Sequence, residues 1–336
     1  MAGMPTLDPL IAPLDQLLTV ETDNGVLFKI CLGVALFFTG SQQDEKRQAV
    51  LDILADYRDL VGSELTWTTN PTTGCWKKLK GFDSYITPFD WLPSYGPGEW
   101  EFVYHGGQRR SDADNHAFVV LGKHPAHDER GEVSSLYCQF PIDFFIEREQ
   151  KLPALLQRWC EKLKPEHGYS GFWLGQSYGH EDSDEAVILE YKFGQRFHGL
   201  QINDFTTHSL NLHRGPKGVD WLTILSDAWL ERLGGLGQVK EQMGELPVLE
   251  YNGGALLRAG AMPQLGDNEN PEVNAALADY RRVAEIIEPA RIKDHQGIHP
   301  QLFGNARHEK RFDEAEYQAW LARFSLQGAS NNRADS

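Results

Sequence analysis

The stretch that decides the fold is LFKICLGVALFF, Leu27 to Phe38. Its side chains are aliphatic and aromatic, and Lys29 is its one charged residue. An apolar run without a regular polar face is typical of a strand buried on both sides of a sheet. The rest of the chain must therefore supply neighbouring strands and covering layers.

An amphipathic helix is predicted directly after this strand. Thr39 and Gly40 make the turn, Ser41 is the expected N-cap, and Gly62 ends the pattern. The apolar residues between them recur at a spacing of three and four: Val50, Ile53, Leu54, Tyr57, Leu60 and Val61.

The same arrangement recurs about 110 residues later. Leu136 to Ile146 is predicted as a strand, and Pro153 is tolerated in the first turn of the helix that follows. That helix carries Leu152, Leu155, Leu156, Trp159, Cys160 and Leu163. Each helix leads into an aromatic segment, Leu65 to Thr68 or Tyr169 to Leu174. These matches indicate a degenerate internal duplication of a strand and a helix.

Aromatic packing is expected to hold the Gly-, Pro- and Trp-rich region from Pro71 to Gly107 as ordered loops and short hairpins. Further strands are predicted at Val119 to Leu121 and at Val187 to Phe193. Asp220 is expected to cap a helix that runs through Trp221, Leu222 and Leu225 towards Gly234.

The remaining elements are punctuated by turn and cap residues. Val248 to Tyr251 and Ala255 to Ala259 flank Asn252-Gly253-Gly254 as a hairpin. A helix is expected between Pro271 and Pro289. Asp313 and Glu316 form a capping box for a last helix, whose buried face is Tyr317, Trp320, Leu321 and Phe324.

The predicted fold class is α+β, with mixed or antiparallel sheets and packed helices. Residues 1–22 form an N-terminal extension, residues 23–326 one compact domain, and residues 327–336 a flexible tail. Within the domain, the duplication predicts two pseudo-repeated lobes, at about 27–121 and 136–260.

Charge and composition restrict the partners. The chain has 48 Asp and Glu against 32 Lys and Arg, which gives a net charge of −16. Such a surface repels nucleic acid and anionic membranes and attracts cationic proteins. The longest apolar run, Ile30 to Phe38, is much shorter than the roughly 20 residues of a membrane-spanning helix. We therefore expect no nucleic-acid and no membrane partner.

The expected location is the cytoplasm. Met1 to Thr22 lacks the basic segment of a secretory signal and is interrupted by prolines. The four cysteines, Cys31, Cys75, Cys138 and Cys160, form no C-x-x-C pair, which fits a reducing compartment. Cys31 and Cys160 are expected to be small core residues.

A nuclease motif is the strongest enzymatic alternative. Glu190-Tyr191-Lys192 ends an expected strand, and Asp143 lies in the preceding one. Some metal-dependent nucleases place a metal-binding carboxylate beside a lysine in this way. Alternating residues on a half-buried strand also produce this pattern by chance, and the chain lacks the basic stripe of a phosphate-binding surface.

Histidines offer a weak metal motif. His124 and His127 precede Asp128, with His105 and His116 as candidate further ligands, and His295 and His299 lie near Asp294. A polar surface loop is the favoured interpretation of each cluster. We therefore expect no metal site and no cofactor. Gly171 to Gly175 lacks a phosphate-loop pattern.

Acidic patches are the favoured binding residues. Glu181, Asp182, Asp184 and Glu185 form the densest group, Asp112 and Asp114 a second, and Asp267, Glu269 and Glu272 a third. Trp91 and Trp100, with Trp76, are candidate aromatic anchors beside them. Solvated loops and core packing are the simpler alternatives.

Several motifs resemble one known family. They are KGVDWLT at 217–223, LERLGG at 230–235, LLRAG at 256–260, Pro263, LGD at 265–267 and YRRV at 280–283. Together with the opening strand and helix they resemble the type VI secretion immunity proteins associated with VRR-NUC nuclease toxins. The resemblance extends over Leu27 to Phe324.

The resemblance implies a cytoplasmic antitoxin that binds a cognate type VI effector toxin and blocks it, with no catalytic residue of its own. A one-to-one complex is expected, and a homodimer stays open. The alternatives are the metal-dependent nuclease that uses Asp143, Glu190 and Lys192, and a scaffold component of the secretion machine.

Overall fold

The structure is a computed structural model of the chain. It describes residues 19–325 except 24, 129, 131, 143, 145–150, 177–183, 203–208, 210, 271, 294 and 296–310.

Twelve strands in the described residues form one sheet. They are β1 (Thr19–Thr22), β2 (Gly25–Phe38), β3 (Trp67–Thr69), β4 (Trp76–Lys78), β5 (Trp100–His105), β6 (Ala117–Gly122), β7 (Ser134–Phe140), β8 (His167–Gln176), β9 (Leu200–Ile202), β10 (Leu222–Ser226), β11 (Val248–Tyr251) and β12 (Gly254–Arg258). The order is β11-β12-β10-β8-β2-β7-β6-β5-β3-β4, with β1 beside β2 and β9 beside β8.

Helices cover this sheet. They are α1 (Asp44–Val61), α2 (Pro88–Trp91), α3 (Pro125–Asp128), α4 (Lys151–Leu163), α5 (Asp184–Arg196), α6 (Asp227–Arg232), α7 (Leu236–Met243), α8 (Ala278–Ile287) and α9 (Glu314–Leu321). The strand pairs are antiparallel except β8 with β9, so the predicted α+β class with a mixed sheet is confirmed.

The predicted opening strand is the centre of the sheet. β2 pairs with β7 on one side, where Ala35 lies opposite Tyr137, and with β8 on the other, where Ala35 lies opposite Tyr169. Because β2 has neighbours on both edges and layers on both faces, each of its side chains from Ile30 to Phe38 is buried. Burial on both faces accounts for the uninterrupted apolar sequence of this stretch.

In the sheet, the later strands of each half of the chain lie beyond the opening strand of the other half. β2 and β7, the strands that open the two predicted repeats, pair with each other in antiparallel orientation. The strands that follow β2 in the sequence, β3 to β6, lie beyond β7, and β8, β10, β12 and β11 lie beyond β2. The duplication itself stays a prediction, but both copies contribute equivalent central strands.

Helices α1 and α4 pack side by side on one face of the sheet. Trp159 of α4 donates its indole N–H to Asp56 of α1 at 3.0 Å, and Tyr57 donates its hydroxyl to the carbonyl of Gln139 in β7 at 2.6 Å. The opposite face includes Phe37, Tyr137 and Trp173. There Gly33 is required, because a Cβ at this position would lie 1.8 Å from the ring of Trp173.

Several predicted elements are confirmed with small changes of boundary. The two amphipathic helices are α1 and α4, the hairpin around Asn252 and Gly253 is β11–β12, and the capping box of Asp313 and Glu316 begins α9. The helix expected before Pro289 is a 3₁₀ turn at Val273–Leu277 followed by α8. Cys31 and Cys160 are buried as expected.

Two predicted elements are wrong. Residues Val187 to Phe193 belong to helix α5, whose buried positions include Ala186, Glu190 and Phe193 at helical spacing. Residues Leu222 to Leu225 belong to strand β10, which lies between β8 and β12, so its buried apolar residues show no helical period.

Smaller boundary errors follow from local contacts. Ser41 is not the N-cap of α1, since Gln43 holds that position and the Ser41 hydroxyl donates to the carbonyl of Lys123 at 2.6 Å. The strand predicted to reach Ile146 ends at Phe140. Within the predicted extension 1–22, Thr19–Thr22 forms β1 and residues 1–18 lie outside the described chain, as does the tail 327–336.

Candidate functional site

The outward side of α1 carries a row of carboxylates. Glu45, Asp52, Asp56 and Asp59 follow one another at intervals of seven, four and three residues, which places them on one side of a helix. Side-chain exposure is 40% for Asp52, 37% for Asp56 and 75% for Asp59, and Glu45 is exposed. We call these four residues the acidic stripe.

The basic residues of α1 do not neutralise the acidic stripe evenly. Lys46 donates to the carbonyl of Leu163 at 2.6 Å, at the end of α4. Arg47 is buried and donates to the carbonyls of Tyr95 and Gly96. The charges of Lys46 and Arg47 therefore stabilise contacts between α1 and neighbouring segments.

Two further cations reach the acidic stripe. Lys162 of α4 lies 3.5 Å from Asp52 and 3.8 Å from Asp56, and Arg58 lies 3.6 Å from Asp59. Such exposed pairs are weak because water and salt screen them. The stripe therefore presents a net negative surface to solvent.

The predicted acidic patches differ in position, exposure and pairing. Glu181 and Asp182 lie outside the described residues, Asp184 is the first residue of α5, and Glu185 is exposed. Asp267, of the third patch, pairs with Arg196 at 2.9 Å.

The second predicted patch lies in a turn against the sheet. Asp112 is 5% exposed, and its carboxylate accepts from the backbone N–H groups of Val26 and Arg109. Asp114 pairs with Lys29 at 3.3 Å. Burial raises the pKa of Asp114, but hydrogen bonds from His116 and the charge of Lys29 outweigh burial and hold the pKa below its ordinary value. Both carboxylates therefore bind other groups of the same chain.

The predicted aromatic anchors also differ in exposure. Trp100 is 2% exposed and donates its indole N–H to the carbonyl of Ser41, so it offers no contact area to a partner. Trp91 is half-buried against Tyr95, and Trp76 is half-buried against His105. Trp91 and Trp76 therefore retain accessible surface.

The nuclease geometry is not present at Glu190 and Lys192. Both residues lie on helix α5, where positions two apart point to different sides. Glu190 is buried and Lys192 is exposed. Asp143 lies outside the described residues. The expected strand arrangement of a carboxylate beside a lysine is therefore wrong.

The histidine clusters have ordinary protein partners. His127 contacts Glu132 at 2.6 Å, His116 contacts Asp114 at 3.0 Å, and His295 contacts the hydroxyl of Tyr317 at 2.9 Å. In the described part of the chain, no group of three or more His, Cys, Asp or Glu side chains is arranged to hold a metal ion. His299 and Asp294 lie outside that part.

The KGVDWLT segment places its charged side chains in the interior of the protein and not on the surface. Lys217 and Asp220 are buried beside Arg323, which follows α9. Asp220 accepts from the backbone N–H of Trp221 at 2.7 Å, and Lys217 donates to the carbonyl of Ile202 at 3.2 Å. We call Lys217, Asp220 and Arg323 the buried charge cluster.

Desolvation dominates the titration of this cluster. Burial raises the pKa of Asp220 to about 8, against the lowering effects of the Trp221 N–H and the charges of Arg323 and Lys217. Burial and the charge of Arg323 lower the pKa of Lys217 well below its usual value. The guanidinium of Arg323 lies 4.0 Å from the ring centroid of Trp320. The motif therefore joins the sheet to the last helix.

Sequence reasoning missed the acidic stripe, although its signal was available. The apolar side of α1 was identified from its spacing, and the complementary positions carry Glu45, Asp52, Asp56 and Asp59. Counting local charge density favoured 181–185, whereas helical periodicity reveals the longer row on α1.

Among the described residues, no helix has the length and apolar character to cross a membrane. The fold has a solved relative. It is similar to the Pseudomonas aeruginosa T6SS protein PA0821, with a TM-score of 0.79 and 22% identity over 96% of this chain and 92% of that one. No match was found among curated proteins.

The family comparison agrees with the motifs quoted from the sequence. The model of TsiV, described as type VI immunity for VRR-NUC, matches residues 49–324. This range contains most of α1, the buried charge cluster and α9. The chain therefore belongs to the TsiV family of type VI immunity proteins for VRR-NUC effectors.

Proposed function

We propose that this chain neutralises a cognate VRR-NUC effector by binding it directly in the cytoplasm, and that it catalyses no reaction of its own. The observation that carries the proposal is the acidic stripe of Glu45, Asp52, Asp56 and Asp59, on a protein of net charge −16 that belongs to an immunity family.

The chemistry of a nuclease makes this surface suitable. An enzyme that cuts nucleic acid holds phosphates with lysine and arginine side chains. A row of carboxylates on a rigid helix is complementary to such a surface, and it accelerates the encounter because opposite charges attract before contact. Binding there excludes the substrate.

Additional contacts are proposed outside α1. Glu185 is exposed, and we retain it with Glu181, Asp182 and Asp184 as a second acidic contact. Trp91 is retained as an aromatic contact because it is half-buried. Trp100, Asp112 and Asp114 are not retained, because burial or local pairing occupies them.

The experiment measures association of the purified chain with its cognate VRR-NUC effector. The variant Glu45→Gln, Asp52→Asn, Asp59→Asn removes three charges and retains side-chain shape. We expect an association rate about tenfold lower at low salt, with a smaller difference at high salt. Asp56 is left unchanged because it accepts from Trp159.

The matched control is Glu231→Gln, Glu241→Gln, Glu245→Gln, which removes three exposed carboxylates elsewhere. If both variants associate equally fast, the acidic stripe is not the contact. If the unmodified chain neither binds the effector nor protects cells that produce it, the proposed function is wrong. Cleavage of DNA by the purified chain alone would contradict the non-enzymatic part.

A further inference from the structure

Strand β4 ends the sheet and carries unusual charge for this protein. It pairs with β3 on one side, and no strand of the described chain pairs with its other side. The segment Trp76 to Lys80 reads WKKLK. Lys77, Lys78 and Lys80 are exposed, and none forms an ion pair within the described residues. We call these three residues the lysine edge.

Edge protection explains part of this composition. Lysines on an exposed strand discourage pairing with another chain. Protection alone does not account for the apolar residue that follows Tyr85, the ring nearest Lys77. Ile86 is 50% exposed, which makes it the one large hydrophobic residue classed as exposed in the described chain. Exposed apolar and aromatic side chains next to charges are typical of interfaces.

Aromatic rings support the lysine edge. The Lys77 ammonium lies 6.0 Å from the ring centroid of Tyr85, and the Lys78 ammonium lies 5.6 Å from that of Trp67. Asn70 donates to the Tyr85 hydroxyl. Because successive side chains of a strand alternate, Lys77 and Lys78 border the edge from both faces. The cations are therefore positioned by packing.

A short segment joins the end of α1 to the lysine edge. Arg58, at the end of α1, lies 5.4 Å from the ring centroid of Phe82 and 5.6 Å from that of Phe89. The backbone N–H of Lys80 donates to the Ser84 hydroxyl at 3.0 Å. The segment from Phe82 to Phe89 therefore connects β4 to the side of α1 that carries Arg58.

We infer that the lysine edge is the second half of the effector-binding surface, and that its ammonium groups contact the carboxylates with which the nuclease holds its divalent metal ion. This inference rests on the proposed function. A metal-dependent nuclease has phosphate-binding cations beside metal-binding carboxylates. The acidic stripe and the lysine edge present the complementary pair of charges on two elements that the segment from Phe82 to Phe89 connects, and the ammonium groups replace the positive charge of the metal.

The test compares the variant Lys77→Ala, Lys78→Ala, Lys80→Ala with the unmodified chain in binding to the effector, with and without Mg²⁺. We expect the dissociation constant of the variant to rise at least about tenfold without Mg²⁺. Saturating Mg²⁺ is expected to weaken binding of the unmodified chain several-fold, because metal and lysine compete for the same carboxylates. Binding of the variant should be nearly insensitive to Mg²⁺.

The control variant Lys151→Ala, Arg158→Ala, Arg281→Ala removes the same charge from exposed positions elsewhere. Circular dichroism and denaturation test whether both variants fold. Equal affinity of the lysine-edge variant and the control would overturn the inference. So would a Mg²⁺ effect that is the same for the unmodified chain and the lysine-edge variant. If the unmodified chain does not bind the effector, the proposed function fails instead.

Discussion

The acidic stripe of α1 and the buried charge cluster use the same kinds of side chain in opposite environments. In the stripe, Asp59 is 75% exposed and keeps its hydration. In the cluster, Asp220 is 0% exposed, and burial raises its pKa to about 8. Water screens the first group and is excluded from the second.

This difference separates the residues that identify the family from the residues that we propose bind a partner. The KGVDWLT segment places Lys217 and Asp220 where a substitution disturbs the packing of the sheet against α9. The exposed carboxylates Glu45, Asp52 and Asp59 are expected to contribute little to folding, and we propose that they contact the effector. A family motif can therefore be diagnostic of the fold and carry no information about the toxin.

The largest expected effect at neutral pH is at Asp220. The substitution Asp220→Ala leaves the Trp221 N–H without its acceptor and Arg323 without a nearby carboxyl, so we expect a loss of about 3 kcal/mol in the free energy of unfolding. Asp220→Asn retains an acceptor oxygen and should cost less. Urea denaturation measures both. A loss for Asp220→Ala no larger than that for Asp59→Ala would contradict the comparison.

The next effect is a loss of stability in acid. Burial lowers the pKa of His105 and His167 from the usual 6.5 to about 4. Between these values the unfolded chain binds protons that the folded chain does not. Stability is therefore fully present above pH 6.5 and falls towards pH 4, by up to about 1.4 kcal/mol per pH unit for each group.

Asp220 acts in the opposite direction, because its raised pKa makes the folded chain take up a proton as the pH falls from about 8. The contribution of one histidine is isolated with His167→Gln, whose amide N–H takes the place of Nε2 opposite the carbonyl of Leu212. Urea denaturation at several pH values between 7 and 4 should show a shallower slope for this variant. An unchanged slope would mean that His167 is protonated in the folded chain.

The smallest expected effect is at the surface. The variant Glu45→Gln, Asp52→Asn, Asp59→Asn should change the free energy of unfolding by less than about 0.5 kcal/mol, since its ion pairs are exposed. The same denaturation measurement checks it. A loss as large as that of Asp220→Ala would show that the stripe is part of the folding core and remove the contrast between the two regions.

Much of the fold was predictable because periodicity and caps are local properties. The run Leu27 to Phe38 became the central strand, and Asp313 with Glu316 capped α9. Prediction failed where the pattern was ambiguous. In α5 the apolar residues around Glu190 also alternate like a strand, and in β10 burial on both faces removes any period.

The candidate site was predictable only in part. The acidic stripe follows from the spacing of Glu45, Asp52, Asp56 and Asp59 on a helix that the sequence did predict. The position of the lysine edge relative to α1 depends on tertiary contacts such as Arg58 with Phe82. One sequence contains no signal for such a contact between distant segments.

The order of the strands in the sheet has a consequence for any attempt to shorten the protein. Helix α1 packs on the strand Ser134–Phe140, because Tyr57 donates to the carbonyl of Gln139, and β6, β5 and β3 lie between that strand and β4. The acidic stripe and the lysine edge both come from residues 45–80, yet a fragment that ends before Phe140 would lack a strand on which α1 packs. The proposed binding surface is encoded early in the chain and supported by a part translated later.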